Sequence, residues 1–178
     1  LVWTLHTIPH PGEPGHETWP AEAYKTAGGV NAWPGTTADE KNGIFFAALG
    51  SPADNFWGGD RLGDNLYGNS IVALDAKTGY KIKDFGDNGE VDLKQDFDQE
   101  IRPNLTVGEV GLHAAPVVAN NTIIVGAAFR EGFTPATHNN TKGYVRAFDV
   151  RTGKRIWTFH TIPKKGEYGY DTWLNDSA

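Results

Sequence analysis

Short apolar runs broken by polar turns set the rhythm of this chain. Residues 70–75 and 144–149 are dominated by branched and aromatic apolar side chains, the composition that strands favour. Each run leads into an Asp-x-x-Thr-Gly stretch, Asp75–Gly79 and Asp149–Gly153. There the Asp side chain can open a turn by hydrogen bonding and the Gly can take a positive φ. Lys154–His160 then reads as a return strand, with Trp3–Ile8 as its counterpart near the start of the chain. Ala115–Ala119, a turn at Asn120 and Asn121, and Thr122–Ala128 predict a hairpin, because Asn tolerates left-handed geometry. Asn31–Ala38, a turn over Asp39–Gly43, and Ile44–Leu49 form the parallel earlier in the chain. The pattern predicts four strands per unit, with a long polar loop between the second and third.

The units repeat. Residues 1–20 match residues 155–174 at eleven of twenty positions, and 3–19 (WTLHTIPHPGEPGHETW) returns as 157–173 (WTFHTIPKKGEYGYDTW). A second repeat aligns SIVALDAKTGYKI (70–82) without gaps on YVRAFDVRTGKRI (144–156). The first offset, 154, is close to twice the second, 74. Repeated four-stranded antiparallel units with a Trp on the last strand predict blades of a β-propeller, an all-β fold in which each blade needs a neighbour to bury its faces. The expected division is the end of one blade plus a loop at 1–27, a blade with a long connection at 28–109, a further blade at 110–162, and the start of another loop at 163–178.

Composition narrows the function classes. The 178 residues carry a net charge of −6, so no basic surface is available for nucleic acid. No apolar run approaches the roughly 20 residues of a membrane helix. The chain has neither Cys nor Met, which removes thiol chemistry and gives the expectation that Leu1 is not a translation start. A piece of a longer protein is expected. His6, His10 and His16 invite a metal reading, but only His6 recurs, as His160, while Lys164 and Tyr170 replace the others. A structural or surface role is therefore expected for these histidines. The Asn-x-Ser/Thr sequons at Asn104, Asn120, Asn139 and Asn175 matter only in a eukaryotic secretory setting.

GYVRAFDVRTGKRIWTFHTIP, the GGVNAW and DEKNGIFFAALGS stretches, and RLGDNLYGNSIVALDAKTG resemble the pyrroloquinoline-quinone (PQQ)-dependent dehydrogenases of the glucose-dehydrogenase type. DFGDNGEVDL (84–93) resembles a stretch between early blades of that family. The resemblance implies an eight-bladed quinoprotein of the periplasm, free or membrane-associated. It implies oxidation of a sugar or other alcohol, PQQ and Ca2+ as cofactors, and a quinone or cytochrome as electron acceptor. The missing blades would come from the same longer chain or from a homo-oligomer.

The family's motifs carry over to four positions. The quinone of the family lies flat on a Trp, and Trp33 occupies the matching Gly-Gly-x-Asn-x-Trp stretch; blade packing is the other use open to it. A Glu of the family binds calcium five residues after a strand-ending Gly, a spacing that Glu131 keeps from Gly126. A second calcium ligand, an Asn, is matched here by Ser51. The Asp60–Asn65 loop matches one that the family carries before a third blade strand; the resemblance implies a structural role for it, and facing the cofactor funnel is the other use open to Arg61.

One family motif is missing. The catalytic base is an Asp in a His-Asp-x-Trp-Asp stretch, which occurs nowhere in this chain, and Lys83 stands where Trp157 stands in the next unit. No catalytic residue is therefore assigned. A non-catalytic propeller scaffold, like the outer-membrane assembly lipoproteins that share such blade turns, is the competing reading. The long loops at 13–29 and 130–142 favour the dehydrogenase. A carbohydrate-binding module has only Trp19, Trp57 and Tyr67 in its favour.

Overall fold

The computed structural model describes residues 1–53, 58–95, 110–129 and 142–173. Strands β1 (Thr36–Asp39), β2 (Ile44–Ala48), β3 (Ser70–Asp75) and β4 (Glu90–Asp92) form one four-stranded sheet in that order. A short strand β5 (Val110–Gly111) leads into β6 (Val117–Ala119) and β7 (Thr122–Gly126); β8 (Ala128–Phe129) follows and pairs with β5. With β9 (Val145–Asp149) and β10 (Arg155–Phe159), β6 and β7 make a second four-stranded sheet in the order β10-β9-β7-β6. Every ladder within these sheets is antiparallel, and in both the second and third strands are joined by a long connection. This is the blade architecture the repeat predicts.

The turns follow their residues. Asp75 Oδ1 accepts from Lys77 N (3.1 Å), Thr78 N (2.7 Å) and Thr78 Oγ1 (2.8 Å). Asp149 Oδ1 accepts from Arg151 N (3.0 Å), Thr152 N (2.9 Å) and Thr152 Oγ1 (3.0 Å). The closing glycines sit at φ 73° (Gly79) and 66° (Gly153), and Asn120 and Asn121 at 49° and 61°, a left-handed pair suited to a tight hairpin.

Two expectations are corrected. Residues 3–8 form no strand; they pack as an irregular segment on the first sheet, with Trp3 Nε1 donating to Ala76 O at 3.1 Å. The fourth strand of the first sheet is not the stretch directly after Gly79. Residues 80–83 make only a single bridge, Leu74 to Lys81, and Glu90–Asp92 takes the ladder position on β3. Thus the stretch resembling an inter-blade connection closes the first blade.

Alternation along the strands separates two cores. Ile44, Phe46 and Ala48 of β2, with Ile71 and Ala73 of β3, face the second sheet and meet Ile123, Val125, Tyr144, Phe148 and Val150. The intervening Ala47, Val72 and Leu74 face the other way, against Trp19, Ala23, Val30 and Tyr67. The first sheet is therefore a middle layer covered on both faces. Among the described residues, the second sheet is covered on one, with Val117 (59% exposed), Ile156 (53%) and Phe159 (61%) exposed. The sheets are also tied by polar links. Arg146 Nη2 donates to Leu93 O at 2.8 Å, and Gly86 N donates to Thr152 O at 2.8 Å.

Candidate functional site

Two segments that are separate in sequence meet beyond the end of β2. Val30 N donates to Ser51 O (3.1 Å), Gly50 N to Asn31 O (3.0 Å), and Ala53 N to Gly28 O (2.9 Å). This short backbone ladder lays the Gly28–Asn31 stretch, which leads into Trp33, beside Gly50–Ala53. Asn31 Oδ1 accepts from Trp33 N at 3.3 Å, which braces the turn carrying the indole. Trp33 is 80% exposed and belongs to neither of the two apolar cores. An open indole face can carry a flat aromatic ring by stacking.

Ser51 is partly committed. Its hydroxyl lies 3.4 Å from Val110 O as a donor and accepts from Asn69 Nδ2 at 2.8 Å, which leaves one lone pair for a further partner. Asn69 is fully buried, at φ 60°, immediately before β3. Its Nδ2 also donates to Val110 O, and its Oδ1 has no hydrogen-bond partner among the described residues. An orphaned amide oxygen beside a hydroxyl is a hard oxygen pair of the kind a calcium ion takes. Asn69 escaped the sequence reading because an Asn between a Gly and a strand signals turn chemistry, and nothing in its spacing marks a ligand.

Arg61 is buried, with Nη1 3.8 Å from Asp60 Oδ1 and its backbone N donating to Gly58 O at 2.9 Å. It lies in the loop that runs from Gly58 to Asn69, ahead of β3. Glu131 lies outside the described residues. Among the described residues, no group of three or more His, Asp or Glu side chains is arranged to hold a metal ion. No described helix is long and apolar enough to cross a membrane.

A second polar cluster backs the first blade. Lys81 Nζ sits 3.3 Å from Glu90 Oε2 and 4.5 Å from the Tyr67 ring centroid. Burial pushes the Glu90 carboxyl up to about 6, against the pull of Lys81. Burial also raises the Tyr67 phenol, whose OH donates to Pro14 O at 2.5 Å. Trp19 (5% exposed) and Tyr67 (2%) are core residues, which removes them as a sugar-stacking platform; Trp57 lies outside the described residues. The histidines act structurally. His6 Nδ1 is 2.8 Å from Glu13 Oε1, His6 and His10 stack at 4.0 Å, and His16 Nδ1 is 3.1 Å from Pro9 O.

Comparison with known proteins gives the geometry its relatives. The model of the PQQ glucose/ethanol/alcohol dehydrogenase β-propeller domain matches residues 1–82 and 74–178. A quinoprotein glucose dehydrogenase from Gluconobacter oxydans is 35% identical over 89 residues, which are 50% of this chain and 10% of that protein. A quinate/shikimate dehydrogenase (quinone) from Acinetobacter baylyi is 32% identical over 99 residues, 56% of this chain and 11% of its own length. A solved europium-containing methanol dehydrogenase aligns over 74% of this chain and 15% of its own, at 21% identity and a TM-score of 0.42. The chain spans about a tenth of the length of these curated relatives.

Proposed function

For a chain that belongs to the PQQ-dependent glucose/ethanol/alcohol dehydrogenase propeller family, we propose a share in the cofactor site of an enzyme that oxidises a sugar or other alcohol and passes electrons to a quinone or cytochrome. The observation that supports this reading is the backbone ladder that pairs Val30 with Ser51 and Asn31 with Gly50, two residues before the exposed Trp33, while Asn69 N donates to Gly50 O. When bound, PQQ supplies the two-electron acceptor for the alcohol carbon, with calcium as Lewis acid at its carbonyl. Trp33 would carry the face of the quinone. Ser51 Oγ, Asn69 Oδ1 and Glu131 would offer oxygen to the metal. Arg61, being buried, would act on the shape of its own loop. A periplasmic setting is part of this reading.

Lys83 in place of a blade Trp and the missing His-Asp-x-Trp-Asp stretch favour a second reading, a propeller scaffold without chemistry. Titration of the chain with PQQ in the presence of calcium separates the two. The dehydrogenase reading expects saturable quenching of Trp fluorescence that Trp33→Ala reduces several-fold and that a calcium chelator reverses. Quenching that is linear in PQQ and indifferent to both changes sinks it in favour of the scaffold.

A further inference from the structure

The fourth-strand position of the first blade is filled in two pieces. Asp75 N donates to Tyr80 O at 2.8 Å and Ile82 N to Ala73 O at 2.9 Å, which holds the first piece on β3. Ala73 N donates to Gly89 O at 3.0 Å, where the chain rejoins the ladder after residues 83–88. Ile82 packs against the core between the sheets. Strand alternation sends Lys81 and Lys83 the other way. Both line a cleft of about 620 Å3 between this stretch and the N-terminal segment, together with Leu5, Pro9, Pro14 and Tyr67. That volume falls within the range of small-molecule sites. The repeat puts Arg155 and Trp157 where Lys81 and Lys83 stand, so the second blade does not copy the paired ammonium groups.

Lys81 is held in position by the fold. Its side chain is 13% exposed. A Cβ at Gly89 would lie 2.6 Å from Lys81 Cβ, so glycine there leaves room for the lysine stem. One of its three N–H donors goes to Glu90 Oε2 at 3.3 Å, and Nζ sits 4.5 Å from the Tyr67 ring centroid. At least one donor remains for the cleft. The other charged lining groups are the exposed Lys83 and the Glu13–His6 pair. Both Glu13 oxygens are used, Oε1 by His6 Nδ1 and Oε2 by His10 N. On a chain of net charge −6, this cleft sets two ammonium groups against one occupied carboxylate. Ammonium groups donate and do not accept, so a ligand here must bring an anionic acceptor. The rings of Tyr67 and Tyr80 and the two prolines suit a flat apolar body.

We propose that this cleft binds a small organic acid, a carboxylate on a one- or two-ring apolar body, with its charge at Lys81 and Lys83 and its ring against Tyr80 and the N-terminal segment. Trp33, Ser51 and Asn69 do not line it, so the site stands apart from the cofactor reading and does not depend on it.

The probe is benzoate, titrated by calorimetry into the full 178-residue chain. One saturable site per chain is expected. Benzamide, which has the ring without the charge, should bind at least about ten-fold more weakly, because it gives up the charge-assisted hydrogen bonds. Inorganic phosphate, which has the charge without the ring, should also bind more weakly. Lys83→Met and Tyr80→Ala, both at exposed positions, should each weaken benzoate several-fold. Lys81→Met combined with Glu90→Gln, which leaves no lone charge buried, should abolish binding. Trp33→Ala should change nothing. No saturable binding overturns the proposal, as does benzamide or phosphate matching benzoate. So does an affinity that neither Lys83→Met nor Tyr80→Ala alters. Loss of binding in Trp33→Ala would move the acid to the cofactor residues and overturn it too. Should the double variant lose its sheet signal by circular dichroism, the two variants at exposed positions decide. Failure of PQQ to quench Trp fluorescence bears on the cofactor reading alone.

Discussion

The two sheets share their turns and differ in their surroundings. Both use an Asp whose carboxylate gathers three hydrogen bonds from the residues after it, and both close on a left-handed Gly. What lies against that Gly differs. A Cβ at Gly79 would meet the Trp3 ring at 2.5 Å, a side chain from the seated N-terminal segment. A Cβ at Gly153 would meet Gly86 N at 2.6 Å, backbone of the first blade. The middle sheet is enclosed on both faces and the outer one on one. Local turn chemistry is written in a few residues and copies faithfully. Burial is decided by which neighbour arrives, and that is not written in the turn.

Substitutions can break this contrast at decreasing strength. Phe46 is fully buried between the sheets and packs on Phe85 at a ring distance of 5.5 Å. Phe46→Ala should cost about 3–5 kcal/mol, read from urea unfolding, while Phe159→Ala on the open face should cost under about 0.5 kcal/mol. A comparable loss at both would mean the second sheet is covered in solution. The two equivalent tryptophans come next. Trp3→Ala gives up an indole hydrogen bond and the edge contact with Phe45, and should cost about 2 kcal/mol. Trp157→Ala should leave the melting temperature of the isolated chain nearly unchanged, and an equal drop for both would erase the distinction between the two copies of the repeat.

Acidity sharpens the contrast further. The Glu90 carboxyl is raised by burial to about 6, so the folded state holds its proton more readily than the unfolded chain does. Its protonated form is stabilising below pH 4.5, and that contribution is lost as pH rises through about 6. The loss is on the order of 1–2 kcal/mol. Glu90→Gln should flatten the stability profile between these values, and an unchanged slope would assign the titration elsewhere. Asp75 and Asp149 behave oppositely. Thr78 hydrogen bonds hold Asp75 below its ordinary value. At Asp149 burial works to raise the carboxyl, and the Thr152 and Arg151 hydrogen bonds outweigh it. Their contributions are present above pH 3.8 and fade as pH falls through the lowered folded values. The smallest expected effects are those of Asp75→Ala and Asp149→Ala, which should lower thermal stability slightly and alike. Unequal effects would show that the surroundings reach into the turns after all.

Much of the first-order fold is legible in the chain. The four apolar positions within Ser70–Asp75 and the Asn120-Asn121 turn fall where periodicity and turn chemistry put them. The fourth strand of the first blade is not, because Glu90–Asp92 has only three residues and competes with Tyr80–Lys83, which has the better local pattern and loses through packing. Trp3–Ile8 reads as a strand by analogy with β10, yet an edge strand needs a neighbour to pair with, and its apolar residues instead lie flat on the first sheet. At the candidate site, the resemblance singles out Trp33, Ser51, Arg61 and Glu131, and backbone pairing joins Val30 to Ser51 and Asn31 to Gly50 just before Trp33. Asn69 is invisible in sequence, because its burial comes from Val110, forty-one residues further on.

The guanidinium of Arg146 has a consequence in time as well as in space. It satisfies the carbonyl of Leu93, 53 residues earlier, and reaches that of Gln95 at 3.5 Å. During synthesis the edge of the first blade therefore waits for its donor for about 3–10 s at ordinary elongation rates. Over that interval a blade already complete in its own ladders keeps two carbonyls open to water. The nascent chain is held receptive at the edge where its successor must arrive.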